Sequence, residues 1–329
     1  MPISTLTPDV LALDCAAEAD RIGARVARTI GAEFRRRGAV VALSGGVDSS
    51  VCAALVARAI GPKKVLALLL PEKESSAAST RLGRVVAEQL GAEWREENIS
   101  PSLEAVGCYR WRDEAIRTLI PRYSDGWRNK IVITREPGGT FSFFKLVVQS
   151  PEGELIEKRL PYEQYLQIVA ATSFKQRLRK TIEYFHADRL NYAVIGTPNR
   201  LEYDQGFFVK NGDGSADLKP IAHLYKTQVY AMARYLGLPE EVCSARPSTD
   251  TYSLEQGQDE FYFGIPYEQM DLALWAHNHG VPPTALAATL GIGDSEAAAI
   301  YASIEAKRKS THYLHAKPVL IEPVNEVAR

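Results

Sequence analysis

Two uninterrupted apolar runs, "AVVAL" at residues 39–43 and "VLALLLP" at 65–71, constrain this chain most. A strand that is apolar at every position needs cover on both faces, which parallel sheets obtain from crossover helices. The intervening "VDSSVCAALVARAI" has helical character, and "STRLGRVVAEQLG" follows the second run as a second helix closed by Gly91. The same strand–helix pairing returns far downstream as "NYAVIGT" and "LYKTQVYAMARYLG". The order predicts an α/β fold, a doubly wound parallel sheet with right-handed crossovers.

Between the two parts lies "KIVITREPGGTFSFFKLVVQSPEGELIEKRLP", residues 130–161, whose β-rich runs are separated by "EPGG" and "SPEG". Both separators are strong turn signals, so a small antiparallel β-meander is expected as an insertion in one domain spanning 1–329. Apolar spacing over residues 10–37 predicts an amphipathic helix. From about residue 271 to 329 the expectation is helices followed by a proline-containing tail.

The bulk numbers close off several classes. A formal net charge of −1 over 329 residues argues against an obligate nucleic-acid binder, which carries a basic face. No apolar run approaches the ~20 residues of a membrane span, and the N-terminus lacks the layout of a secretory signal. Cys15, Cys52, Cys108 and Cys243 form no CxxC pair, which speaks against structural zinc and redox chemistry. A cytoplasmic protein with neither nucleic-acid nor membrane partners is expected.

Chemistry is expected first at "SGGVDSS", Ser44 to Ser50. The stretch lacks the Lys-Ser/Thr of a P-loop NTPase and the spacing of GxGxxG. What remains is a strand-to-helix turn whose backbone N–H groups face one concavity, with a helix N-terminus behind it. An exposed helix end contributes only about 0.3–1 kcal/mol, too little to hold a triphosphate, so hydroxyls, a metal and distant lysines must add to it. Asp48 beside phosphate makes sense as a ligand of Mg²⁺, which bridges carboxylate and phosphate oxygens. The plain alternative is a tight turn with Asp48 as a helix cap.

SGGxDS after an apolar strand resembles the pyrophosphatase loop of the adenine nucleotide α-hydrolases, which split ATP into AMP and pyrophosphate. A second block, "VIGTPNRLEYDQGFFVKNGDGSADLKPIAHLYKTQVYAMARYLGLP", resembles the long signature of the ammonia-dependent NAD⁺ synthetases. The resemblance implies that Ser44, Gly45, Gly46, Val47, Asp48, Ser49 and Ser50 hold ATP phosphates, with Thr197, Lys226 and Ser248 also touching ATP. It implies a magnesium site at Asp48 and Glu202, a charge-neutralising role for Lys226, and a substrate site at Arg177, Lys210, Asp217 and His312. Asp48, Lys210 and Lys226 are then the catalytic set. Each has a bland alternative: Lys226 as a surface residue, Asp217 as a turn cap, and Arg177 as part of a basic helix face.

The implied reaction is amide formation on the carboxylate of deamido-NAD, through an acyl-adenylate that ammonia opens with release of AMP. It needs ATP and Mg²⁺ but no side-chain nucleophile. The resemblance also implies a homodimer with substrate at its interface. A chain filled by the synthetase leaves no room for a glutaminase domain, so free ammonia or a separate glutaminase partner is expected.

Ser173, Gln176, Pro198, Val209 and Tyr313 depart from the family pattern, mostly on the side facing the acid. With the meander, they leave open a relative that amidates a different carboxylate, the meander shaping or covering the acid pocket. A tRNA-modifying enzyme of the same superfamily fits the charge and cysteine pattern poorly. A non-catalytic nucleotide-binding module is disfavoured by the retained Asp48 and Glu202.

Overall fold

The protein is described from a computed structural model over residues 6–135, 142–245, 252–254, 257 and 262–324. In chain order the elements are α1 (Cys15–Arg28), β1 (Gly38–Ala42), α2 (Val47–Ile60), β2 (Val65–Leu69), α3 (Ala77–Leu90), β3 (Glu93–Glu96), α4 (Ser100–Ala105) and α5 (Cys108–Leu119). The strands β4 (Arg128–Arg135), β5 (Ser142–Gln149) and β6 (Leu155–Arg159) come next. After them run α6 (Tyr162–Leu190), β7 (Tyr192–Ile195), α7 (Arg200–Gln205), α8 (Lys226–Tyr235), α9 (Glu240–Ser244), α10 (Tyr267–Asn278), α11 (Pro283–Leu290) and α12 (Asp294–His315).

The sheet is parallel, ordered β3-β2-β1-β7, as the paired apolar runs predict. Strand alternation sends Ala39, Val41, Val65, Ala67, Leu69, Ala193 and Ile195 to one face, where α1, α2, α3 and α8 cover them. Val40, Leu66, Leu68 and Val194 point the other way, against α4, α5 and α6. Both faces are therefore dry, and the central strands tolerate no polar position. Edge strand β3, "EWRE", is mostly exposed and charged, so it carries no such signal.

The expected meander is present as β4-β5-β6, antiparallel throughout, and starts at Arg128 rather than 130. Its inner face, Ile131, Leu146 and Val148, packs on Ala115 and Ile116 of α5 and Ile168 of α6. The N-terminal helix is shorter than residues 10–37. Pro8 opens a separate short turn, and the Asp14 side chain caps α1 by accepting from the N–H groups of Ala16 and Ala17 at 3.1 and 3.0 Å. A wide turn follows at Thr29–Glu33, and Arg35 adopts a left-handed φ of 53°. Helices α10, α11 and α12 form a third layer that includes Leu6 and Leu11 from the other end of the chain. Its first helix begins at Tyr267, just after Pro266, rather than at 271.

Candidate active site

The β1–α2 turn forms the floor of a cavity of about 850 Å³, toward the upper end of the roughly 300–1,000 Å³ typical of small-molecule sites. Gly45 has a φ of +78°, and a Cβ there would sit 2.2 Å from the Ser79 carbonyl oxygen, so only glycine fits. The serines brace the loop from within. Ser49 Oγ donates to Gly46 O at 3.1 Å and accepts from Ser44 N at 3.3 Å, while Ser44 Oγ accepts from Gly46 N at 3.3 Å. Ser44, Gly45, Gly46, Val47, Asp48 and Ser49 line the cavity. Ser50 is fully buried, donates to Gly46 O at 2.8 Å, and lies behind the wall.

Four side chains from three separate stretches meet beside this loop. Lys226, the first residue of α8, is 2% exposed, and its ammonium bonds Asp48 Oδ2. Asn199 Nδ2 donates to Asp48 Oδ1 at 3.0 Å. Asn199 also caps α7 reciprocally: its Oδ1 accepts from Glu202 N, and Glu202 Oε2 accepts from Asn199 N, both at 3.1 Å. Burial, and next the negative charge of Asp48, push the Glu202 carboxyl up to about 8. Burial works against the Lys226 ammonium, but Asp48 and Glu202 outweigh it and hold its pKa above the usual lysine value. Helix α8 is fixed from outside the sheet: Asp271 of α10, fully buried, accepts from Lys226 N at 3.1 Å and Thr227 N at 2.7 Å.

Helix α6 supplies a long wall. Tyr165, Val169, Thr172, Ser173, Gln176, Arg177, Lys180 and Glu183 all line the cavity, the spacing of one helical face. Arg177 Nε donates to Lys210 O at 3.2 Å. The Lys210 ammonium donates to the carbonyls of Tyr313 and Ala316 at 2.8 and 3.1 Å and lies 3.9 Å from the Tyr313 ring centroid. It thus ties its loop to the end of α12, where the Tyr313 carbonyl also accepts from Ala316 N at 3.2 Å.

Asp48, Thr197, Glu202, Lys226, Arg177 and Lys210 are therefore brought to one cavity, and so are the altered positions Ser173, Gln176, Pro198, Val209 and Tyr313. Asp217 and His312 are exposed and stand outside its wall. The Asp217 carboxylate accepts from Val194 N at 2.8 Å and the Tyr184 hydroxyl at 3.2 Å, tying its loop to β7. Ser248 falls outside the described residues. Sequence reasoning missed Asn199 and Asp271. Asn-x-x-Glu in "NRLE" is a readable capping-box signal, whereas Asp271 acts across 45 residues and leaves no local trace.

The model of a family described as NAD synthase matches residues 24–118 and 152–315. An NH(3)-dependent NAD(+) synthetase of Rhizobium meliloti is 55% identical over 97% of this chain and 96% of its own length. Among solved structures, NMN synthetase from Francisella tularensis superposes with a TM-score of 0.65 at 20% identity, covering 94% of this chain and 99% of the other. An NH3-dependent NAD synthetase from Campylobacter jejuni gives 0.62 at 21% identity, with 94% and 100% covered. At such identities these two structures speak for the fold.

Proposed function

Because the chain belongs to the NAD synthase family, we propose that it is an ammonia-dependent NAD⁺ synthetase. It uses ATP to activate the carboxylate of deamido-NAD and passes ammonia to it. The observation that carries this reading is the meeting of Asp48, Glu202 and Lys226 at the serine-glycine turn, in one cavity with Arg177 and Lys210, with the buried Asn199 bonded to Asp48 behind them.

A carboxylate is inert toward ammonia because oxide would have to leave. Its oxygen attacks the α-phosphorus of ATP, pyrophosphate departs, and the acyl-adenylate gains a stable leaving group, AMP. Ammonia attacks the acyl carbon, AMP leaves, and an amide remains. Positioning and charge neutralisation supply such catalysis. The β1–α2 turn holds phosphates at a helix N-terminus, Lys226 offsets charge on the departing pyrophosphate, and Arg177 and Lys210 hold the acid substrate. Thr197 meets ATP at the end of β7.

The residues present fit Mg²⁺. A magnesium site takes one or two carboxylates, the rest of its sphere being water and phosphate oxygens. Two carboxylates whose mutual repulsion helps raise Glu202 to about 8 would be relieved by a cation. Asp48 and Glu202 would hold it, Asn199 would orient both, and the ion would polarise phosphate oxygens.

Asp217 and His312 reach substrate only if a second protomer completes the site, which accords with a homodimer. No helix among the described residues is long and apolar enough to cross a membrane, in keeping with a cytoplasmic enzyme fed by free ammonia or a separate glutaminase. The altered residues Ser173, Gln176, Pro198 and Tyr313 all face the cavity, which supports a second reading, a different acid substrate. A panel of carboxylates scored for pyrophosphate release separates the two: deamido-NAD should win by a wide margin. The Asp48→Ala protein strands the buried Lys226 ammonium and should lose stability; assayed well below its melting transition it should release no pyrophosphate, and an active variant would remove the metal assignment.

A further inference from the structure

The inserted meander does more than cover α5 and α6. The family model leaves residues 119–151 unmatched, and β4 and β5 lie in that gap. Two of their side chains, Ile133 and Phe144, nevertheless line the reaction cavity. The Phe144 ring stacks on Tyr165 of α6 at 4.2 Å between centroids and 18° between planes. Val169 and Tyr252 extend the same apolar surface.

Position along α6 decides what this surface meets. The second half of α6, including Leu178, Ile182 and Ala187, packs on the sheet, whose β1 leads into the phosphate turn. The first half, with Tyr165 and Ile168, packs on the meander. At 1.5 Å per residue, Tyr165 lies about 18 Å along the axis from Arg177. The flat aromatic surface therefore stands on the N-terminal side of Arg177 along α6, in the half of the helix that packs on the meander. In ATP the adenine is one ribose from the reacting α-phosphorus, a short reach. In a dinucleotide acid the second base lies beyond two riboses and a diphosphate from the reacting carboxylate. Heteroaromatic bases stack readily on such rings.

We propose that Phe144 and Tyr165, with the meander holding the former, form a specificity-determining seat for the far base of the dinucleotide acid, its adenine. The seat anchors the unreactive half of the substrate while Arg177 and Lys210 hold it nearer the reacting carboxylate. This rests on the NAD⁺ synthetase reading.

Steady-state kinetics of the full-length protein with ATP, ammonium and deamido-NAD test it. Phe144→Leu keeps an apolar side chain and removes the ring. It should raise KM for deamido-NAD about tenfold, leaving kcat and the KM for ATP unchanged. Phe144→Tyr, which keeps the ring, should behave as wild type. Inhibition by nicotinate mononucleotide, which lacks the far base, should not change in Phe144→Leu. Should Phe144→Leu fail to fold, Tyr165→Leu reads the same surface from the helix side. A raised KM for ATP would assign the seat to the nucleoside triphosphate and overturn the proposal. Equal weakening of mononucleotide and dinucleotide, or no change in either, would also overturn it. A wild-type protein that makes no amide from deamido-NAD would sink the underlying reading instead, so the two failures are distinct.

Discussion

Lys226 is the residue on which the site's electrostatics turn. Its ammonium is buried between Asp48 and Glu202 and is bonded to the former. Removing one partner of a buried pair leaves an uncompensated charge, at a cost of about 3–5 kcal/mol. Lys226→Met should lose stability on that scale in urea unfolding. Adding Asp48→Asn should recover most of it, while pyrophosphate release stays lost in both. If the double variant is no more stable than the single one, the pair is not what holds these side chains. Asp48, Glu202 and Lys226 were legible in the sequence because each sits in a motif whose residue types suit phosphate and a cation. Asn199 was legible in principle through its three-residue spacing to Glu202. Asp217 was less so: the same "GDGSAD" spacing that resembles a substrate contact also serves a loop whose aspartate bonds Val194 N. Residue type alone does not separate these uses.

Among the elements, β1 and β2 declared themselves because dry faces on both sides leave no polar positions. Helix α6 did not, and its surroundings explain why. Over 29 residues it meets the sheet, the meander and the cavity in turn, so no one apolar stripe persists. Strand β3 was hidden by its exposed edge position. The capping of α8 by Asp271 has a measurable signature. Burial pushes that carboxyl up to about 7, while an unfolded chain keeps it near about 3.9. Between those values the folded protein retains a proton that the unfolded chain releases. The stability that Asp271 contributes should therefore be fully present below about pH 4 and decline as pH rises to about 7, by up to ~4 kcal/mol. Asp271→Asn cannot ionise, so its unfolding free energy should fall less steeply over that interval. The slope is the quantity to compare, since the amide changes the capping hydrogen bonds at every pH. Parallel slopes for the two proteins would show that Asp271 is ionised throughout.

At the scale of the whole molecule, the two ends of the chain are joined near the site, an arrangement that no local pattern announces. Leu6 and Leu11, 4% and 9% exposed, are buried among α10, α11 and α12. Thr289 Oγ1 donates to Leu6 O at 3.0 Å, and Gln228 Nε2 donates to Leu11 O at 3.1 Å. Gln228 also accepts from Tyr225 N at 3.0 Å, closing the first turn of α8 that begins at Lys226. The N-terminal strap thus bears on the lysine that bonds Asp48, through one glutamine and through the layer that carries Asp271. Leu6→Ala combined with Leu11→Ala should cost roughly 2–4 kcal/mol, since a strap that lifts away leaves less cavity than a locked core. The same variant should show a higher KM for ATP at temperatures well below its melting transition, because α8 loses its brace before the sheet is affected. Gln228→Ala removes the brace and spares the leucines, so it should reproduce the KM effect with a smaller loss in melting temperature. A leucine variant that melts early yet binds ATP as tightly as wild type would confine the strap to stability and separate it from the site.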